Sequence, residues 1–172
     1  MFYFSHFLQH PSYDERNLLN DIAIIKLYDY LPPSNTIQFA CLGKSPSNVN
    51  LTGTVIGFGA TIPGAHQGSQ ILQQVNLTIY PNERCMDVSP SITKNWDMQL
   101  CCGDLNGERD ACHGDSGSGL FLTRNLSAID RLTVEGIVSY GERCASLMKP
   151  AIYTRVSNYI DWITEHSDFD VK

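Results

Sequence analysis

The chain has 172 residues, a formal net charge of −6, 42% hydrophobic and 17% charged residues. That length fits one large domain or two small ones with a sizeable core, and a charged fraction below the usual quarter or so excludes a disordered or coiled-coil chain. Net negative charge without a Lys/Arg block argues against nucleic-acid and anionic-membrane partners, and no run of about eighteen apolar residues exists to span a bilayer.

Residues 1 to 10 (MFYFSHFLQH) lack the positive start and long apolar stretch of a signal peptide, and His6 and His10 interrupt them. Ile22-Ala-Ile-Ile-Lys-Leu27 predicts a buried strand, followed by a turn at Leu31-Pro-Pro-Ser34. Thr52 to Gly59 predicts a second strand ending in Gly57-Phe-Gly59, with residues 60 to 70 as loop. Leu72 to Tyr80 alternates apolar and polar residues and closes at Pro81; Gly119 to Leu122, Leu132 to Tyr140 and Ala151 to Val156 predict further strands. Helical spacing occurs once, at the end: Val156, Tyr159, Ile160 and Ile163 form an apolar stripe behind Ser157 as the expected cap. Many short strands and one late helix indicate an all-β barrel or sandwich.

Six cysteines stand at 41, 85, 101, 102, 112 and 144, without the paired Cys-x-x-Cys spacing of a zinc site. Dispersed cysteines fit disulfides in an oxidising compartment, and three sequons, at Asn50, Asn76 and Asn125, agree with a secreted glycoprotein. An export-type composition without a leader predicts that a further N-terminal part belongs to the protein. No metal or cofactor site is readable.

The densest stretch is Asp110-Ala-Cys-His-Gly-Asp-Ser-Gly-Ser-Gly119, with Asn20-Asp-Ile-Ala-Ile-Ile-Lys-Leu27 far upstream. Taken alone, a serine between glycines is a turn. Together, the two segments resemble the chymotrypsin/trypsin family of serine endopeptidases (peptidase S1). In that family the aspartate and serine stand about 93 residues apart, and the pocket aspartate about 6 before the serine. Here Asp21 precedes Ser116 by 95 and Asp110 precedes it by 6. The flanks are similar too: His10-Pro-Ser-Tyr13, Phe39-Ala-Cys-Leu42, Gly57-Phe-Gly59, and Gly136-Ile-Val-Ser-Tyr-Gly141 through Lys149-Pro-Ala-Ile-Tyr-Thr-Arg155. The likeness covers nearly the whole chain but only the family's later part. It implies a trypsin-like double β-barrel with a C-terminal helix and an incomplete first barrel. Residues 1–45 are then the remnant of the first barrel and linker, and 46–172 the second barrel plus helix.

The resemblance assigns roles. Ser116 is the expected nucleophile of an acyl-enzyme mechanism, the N–H groups of Gly114 and Ser116 the oxyanion hole, and Asp21 the residue that orients an imidazole. Ser139 to Gly141 would pair with an extended substrate as an added strand. Asp110, at a pocket floor, selects Arg or Lys, because burying a carboxylate is costly until a cation arrives; its competing reading is a solvated loop acid after Glu108 and Arg109. Ala151 stands where trypsins usually have glycine and narrows the shaft. Arg143 replaces another glycine and either leans over the mouth or pairs with Glu142. The choice between Lys and Arg stays open.

No histidine fits the catalytic role, because the family's lies about 45 residues before its aspartate and Asp21 is too near the start. His10 is expected to be packed and His113 to sit at the pocket rim, while His6, His66 and His166 have no assigned partner. The family's mature N-terminus, whose ammonium pairs with the residue matched by Asp115, is likewise absent, and the loop is expected to relax without it. The family also implies disulfides Cys112–Cys144 and Cys85–Cys101, with Cys102 a competitor for Cys101. Cys41 would bridge to an N-terminal segment. A further family bridge falls on Gly53 and Leu122, neither of them cysteine. Three readings follow. The first is an endopeptidase of protein or peptide substrates, open to protein inhibitors and inactive as the chain stands. The second is a non-catalytic homologue acting as a binding module; the third is an unrelated secreted β-domain.

Overall fold

A computed structural model describes residues 3–44, 48–65, 67–126 and 128–167, so His66 and the sequon's Ser127 lie outside the described residues. The strands are β1 (Phe4–Gln9), β2 (Ala23–Leu27), β3 (Cys41–Leu42), β4 (Thr52–Gly57), β5 (Gln73–Tyr80), β6 (Gln99–Gly103), β7 (Gly119–Leu126), β8 (Ile129–Tyr140) and β9 (Ala151–Arg155). Strands β8, β7, β4, β5, β6 and β9 pair in that order, and β8 also pairs with β9, which closes a six-stranded antiparallel barrel. Closure removes free edges; only β3 is added outside, parallel to β8.

The period-two pattern of β5 explains its place. Val75, Leu77 and Ile79 turn inward while Asn76 and Thr78 face out, where Thr54 Oγ1 donates to Asn76 Oδ1 at 2.8 Å. Val55, Leu100, Leu120, Leu122, Val138 and Tyr153 complete the interior. Strand β6 escaped the sequence reading because Gln-Leu-Cys-Cys-Gly is buried throughout and shows no alternation. Its Leu100 and Cys102 face the barrel, and Cys101 joins Cys85, Val88 and Ile152 in a second cluster outside it. Where the family would place a disulfide, a Cβ on Gly53 would lie 2.8 Å from Leu122 Cδ1, so the leucine fills that space instead.

Beside β3, Glu135 is 2% exposed and accepts from Arg124 Nε at 3.1 Å, Thr133 Oγ1 at 2.8 Å and Asn48 Nδ2 at 2.9 Å. Arg124 also donates to Asn48, so the buried charge is paired and hydrogen-bonded.

Strands β1 and β2 form a separate two-stranded sheet. The expected buried strand from Ile22 to Leu27 is a correction: Ile22 is buried, but Ala23, Ile25, Lys26 and Leu27 are exposed. The described residues supply β2 with one partner strand and no covering layer, so its apolar side chains, with Phe4 and Phe7 of β1, face outward. The helix start is also corrected. Val156–Tyr159 is a 3-10 turn preceded by Arg155, without a side-chain cap, and the helix α1 spans Ile160–His166. Ser157 lies inside that turn. The tighter turn buries Val156 and Tyr159 and brings the Trp162 ring 4.9 Å from the His10 ring.

Candidate active site

The turn that carries Ser116 is held from three sides. Gly117 N–H donates to the Val138 carbonyl at 2.9 Å, Asp115 N–H to the Cys112 carbonyl at 2.9 Å, and the Cys112–Cys144 disulfide ties the turn to the loop after β8. Gly114 has φ +97°, and a Cβ there would lie 3.1 Å from Gly59 Cα, so position 114, two before Ser116, needs glycine on two counts. The second disulfide is Cys85–Cys101; Cys41 and Cys102 are free thiols, and burial pushes the Cys102 thiol far up. Because Cys112 and Cys144 are 32 residues apart, replacing both by alanine is expected to cost about 3 to 4 kcal/mol, read as a lower urea midpoint at unchanged slope.

Asp115 is held within its loop by two backbone amides. Its Oδ1 accepts from Gly59 N–H at 2.8 Å and its Oδ2 from Cys112 N–H at 2.9 Å. A Cβ on Gly59 would fall on the carboxylate carbon. Two backbone amides therefore donate to this carboxylate, and the Gly57-Phe-Gly59 motif is the sequence signal for the contact with Gly59.

Asp21 lies just before β2 and reaches the barrel through two bonds. Ser139 Oγ donates to its Oδ2 at 2.6 Å, and Thr154 Oγ1 donates to its carbonyl at 2.8 Å. Ser139 is free to do this because the β8–β9 register slips between Val138 and Tyr140, a bulge that takes it out of the ladder. Asp21 and Ser116 line one cavity of about 490 Å³, together with Tyr13, Ile22 and Val138.

Ser116 also lines a second cavity of about 230 Å³, whose wall includes Asp110, Ser139, Gly141, Arg143 and Ala151. Asp110 is not a solvated loop acid. Its Oδ2 accepts from Ala145 N–H at 3.0 Å, while Oδ1 is buried with no partner among the described residues. Burial is the largest influence and raises its pKa to about 6, against the pull of the Ala145 and Ala111 amides; Asp104 and Asp115 add to the rise. A Cβ on Gly141 would lie 3.3 Å from the Ala151 methyl, which places that methyl at the cavity wall. Glu142 does not pair with Arg143: it accepts from Ser89 N–H at 2.8 Å and faces Lys149 Nζ at 3.5 Å. Both contacts fall on its Oε1. Ala111, which sequence reasoning passed over, forms the wall next to Asp110 and offers no hydroxyl.

The histidines sort differently. His10 packs against Tyr159 and Trp162, and its Nδ1 accepts from Ser12 N–H at 3.2 Å. His113 lines the smaller cavity beside Ser116. His6 contacts Ser5, and His166 Nδ1 contacts the Trp162 carbonyl. The sequon residues Asn50, Asn76 and Asn125 are all exposed. No cluster of three or more metal-ligating side chains occurs, and no helix is long and apolar enough to cross a membrane, among the described residues.

A model of the trypsin family matches residues 1–163. The chain is 35% identical over 159 residues to trypsin II-P29 of Gallus gallus, covering 92% of this chain and 60% of that protein. It is 34% identical over 157 residues to a trypsin of Xenopus laevis, covering 91% of this chain and 60% of that protein. To coagulation factor XII of Sus scrofa it is 34% identical over 167 residues, with 92% of this chain and 27% of that protein covered. The chain thus spans less than two thirds of the length of these curated relatives. On the matched length and identity, it belongs to the trypsin family.

Proposed function

We propose that this chain carries the nucleophile and the specificity pocket of a secreted serine endopeptidase that cleaves after Arg or Lys through an acyl-enzyme. Residues 1–45 belong to its first barrel and linker, and 46–172 form the second barrel and helix. The observation that carries the reading is Ser116 standing in the walls of two cavities at once, one shared with Asp21 and one with Asp110. Ser116 attacks the carbonyl of a peptide laid along Ser139 to Gly141, and the N–H groups of Gly114 and Ser116 hold the oxyanion. Asp21, fixed by Ser139, orients and stabilises the imidazolium of a histidine that the chain as given does not supply.

The partners are protein or peptide substrates and protein inhibitors of such enzymes. Cys41, a partly exposed free thiol, joins an N-terminal segment, and Asn50, Asn76 and Asn125 carry glycans. The test is a chain extended by its upstream coding sequence and assayed on an arginyl ester. Turnover abolished by Ser116→Ala supports the reading. An extended chain that folds, binds peptides and shows no Ser116-dependent turnover makes it a binding module instead.

A further inference from the structure

We propose that the outer face of the β5–β4–β7–β8 sheet is covered by the chain's own N-linked glycans, attached at Asn76 and Asn125, which shield an apolar patch around Phe121. The inference rests on the reading of the chain as a secreted glycoprotein and adds what the glycans occupy.

Alternation fixes the face. Leu120 and Leu122 are buried in the barrel, so Phe121, Thr123 and Asn125 of β7 turn outward. Leu77 and Ile79 send Asn76 and Thr78 of β5 to the same side, and Val55 does so for Thr54 and Ile56 of β4. Register then sets the spacing. Thr54 lies opposite both Asn76 and Phe121, so two strand spacings, about 10 Å, separate those residues. Asn125 follows Phe121 by four residues, about 13 Å along the strand. Phe121 thus stands in line with both sequons, and Thr123, between Phe121 and Asn125, pairs with Leu132 of β8. Asn50 stands at the rim of β4, where its N–H donates to the Ile79 carbonyl at 2.8 Å.

Charge is the second observation. From residue 45 to residue 82 the chain has no Asp, Glu, Lys or Arg, so β4 and β5 bring none to this face. Ile56 and Leu132 are 38% and 55% exposed on it. An uncharged sheet surface of this kind self-associates unless something covers it. The two attachment points put an oligosaccharide in the way of any protein partner, whereas the sugar itself fits. The apolar C–H face of a pyranose packs on a phenyl ring or aliphatic side chain, and its hydroxyls stay in water.

Both amides suit the attachment. Asn76 Oδ1 accepts from Thr54 Oγ1 at 2.8 Å, which leaves Nδ2 to carry the sugar. Asn125 Nδ2 donates to Asp130 Oδ1 at 2.9 Å, and the N–H that remains after glycosylation keeps that bond. In the transfer, Nδ2 bonds to the anomeric carbon of an oligosaccharide and releases a proton to solvent. The bond from that carbon to a lipid pyrophosphate breaks, and the pyrophosphate leaves with the electron pair. Neither asparagine nor Phe121 lines a cavity that contains Ser116, so substrate access stays open.

The test is hydroxyl-radical footprinting of the chain secreted from eukaryotic cells, beside the Asn76→Gln, Asn125→Gln double variant, with glycopeptide mass spectrometry reading occupancy. Both sites are expected to be occupied, and Phe121 and Leu132 to oxidise several-fold more slowly in the glycoprotein than in the double variant. Phe58 and Met86, exposed elsewhere, should oxidise equally in the two. If the double variant is not secreted, the glycoprotein trimmed by an endoglycosidase to one sugar per site, too short to reach Phe121, must show the same gain in oxidation. Glycans present with no protection of Phe121 and Leu132 overturn the proposal and leave the glycoprotein and endopeptidase readings standing. Empty sequons overturn the proposal together with the glycoprotein reading, without touching Asp21, Asp110 or Ser116. A double variant that stays protected and sediments as a dimer makes a second copy the occupant and overturns it too.

Discussion

On an arginyl ester, residues 1–172 are expected to turn over about 10⁴- to 10⁶-fold more slowly than the chain extended by its upstream sequence. That is the usual cost of removing one member of such a triad. The bonds around the Ser116 turn lead to the expectation that the deficit is chemical rather than conformational. The Ser116 turn is tied by Val138, the Cys112–Cys144 disulfide and the Asp115 contacts with Gly59 and Cys112. An oxyanion hole that keeps its shape still requires a base to take the serine proton. The check is the ratio of kcat values for the two chains, with near-UV circular dichroism reporting the packing of Tyr153 and Trp162 in each. Robust Ser116-dependent turnover by the short chain overturns the expectation. His113, the only histidine beside Ser116 among the described residues, must then be serving as base.

The second large effect belongs to Asp110. In the extended chain, Asp110→Ser is expected to lower the preference for Arg or Lys over an aromatic residue by about 30- to several-thousand-fold. This corresponds to the roughly 2 to 5 kcal/mol lost when a buried charge loses its partner. Labelling of Ser116 by a fluorophosphonate should persist. The proposed pocket accounts for the size of the effect: Asp110 Oδ1 is buried without a hydrogen-bond partner among the described residues, and the side chains of Ala111 and Ala151 offer no donor, so an incoming guanidinium or ammonium would satisfy it.

Because burial raises Asp110 to about 6, its charge, and with it basic preference, should fade as pH drops through that value rather than through the ordinary carboxylate range. Stability moves the other way. The folded-state pKa lies above the unfolded one, so protonation of Asp110 contributes stability fully present below about 4 and lost as pH rises through about 6. Retained basic specificity in Asp110→Ser, or a pH profile for arginine binding flat from 7 to 5, removes the assignment.

Much of this was written locally. Alternation in Leu72 to Tyr80 set the facing of β5, and glycine next to Asp115 marked a turn with a positive φ at Gly114. Family spacing from Asp21 through Asp110 to Ser116 identified residues that do share cavities, and the cysteine pairs Cys85–Cys101 and Cys112–Cys144 are joined. Each of these signals is carried by residue type and short-range period, which a single chain displays without its partners.

Other features depended on what lies across space. Ile22 to Leu27 has the composition of a buried strand, yet burial is decided by the layer opposite, and β2 has only β1 beside it. Strand β6 was invisible because both its faces are covered, and Ser157 lost the capping role because the chain leaves β9 through a 3-10 turn. Arg143 and Glu142 are neighbours in sequence, but Lys149 and the Ser89 amide reach the carboxylate instead. Asp115 is satisfied by Gly59, 56 residues away, and Asp21 by Ser139, 118 residues away. Residue chemistry and local period therefore marked most of the barrel strands and the turn at Gly114, and singled out Asp21, Asp110 and Ser116 as candidates. Closure of the barrel, a sum of long-range pairings that no local window contains, decided which of them face one another and which charge each one meets.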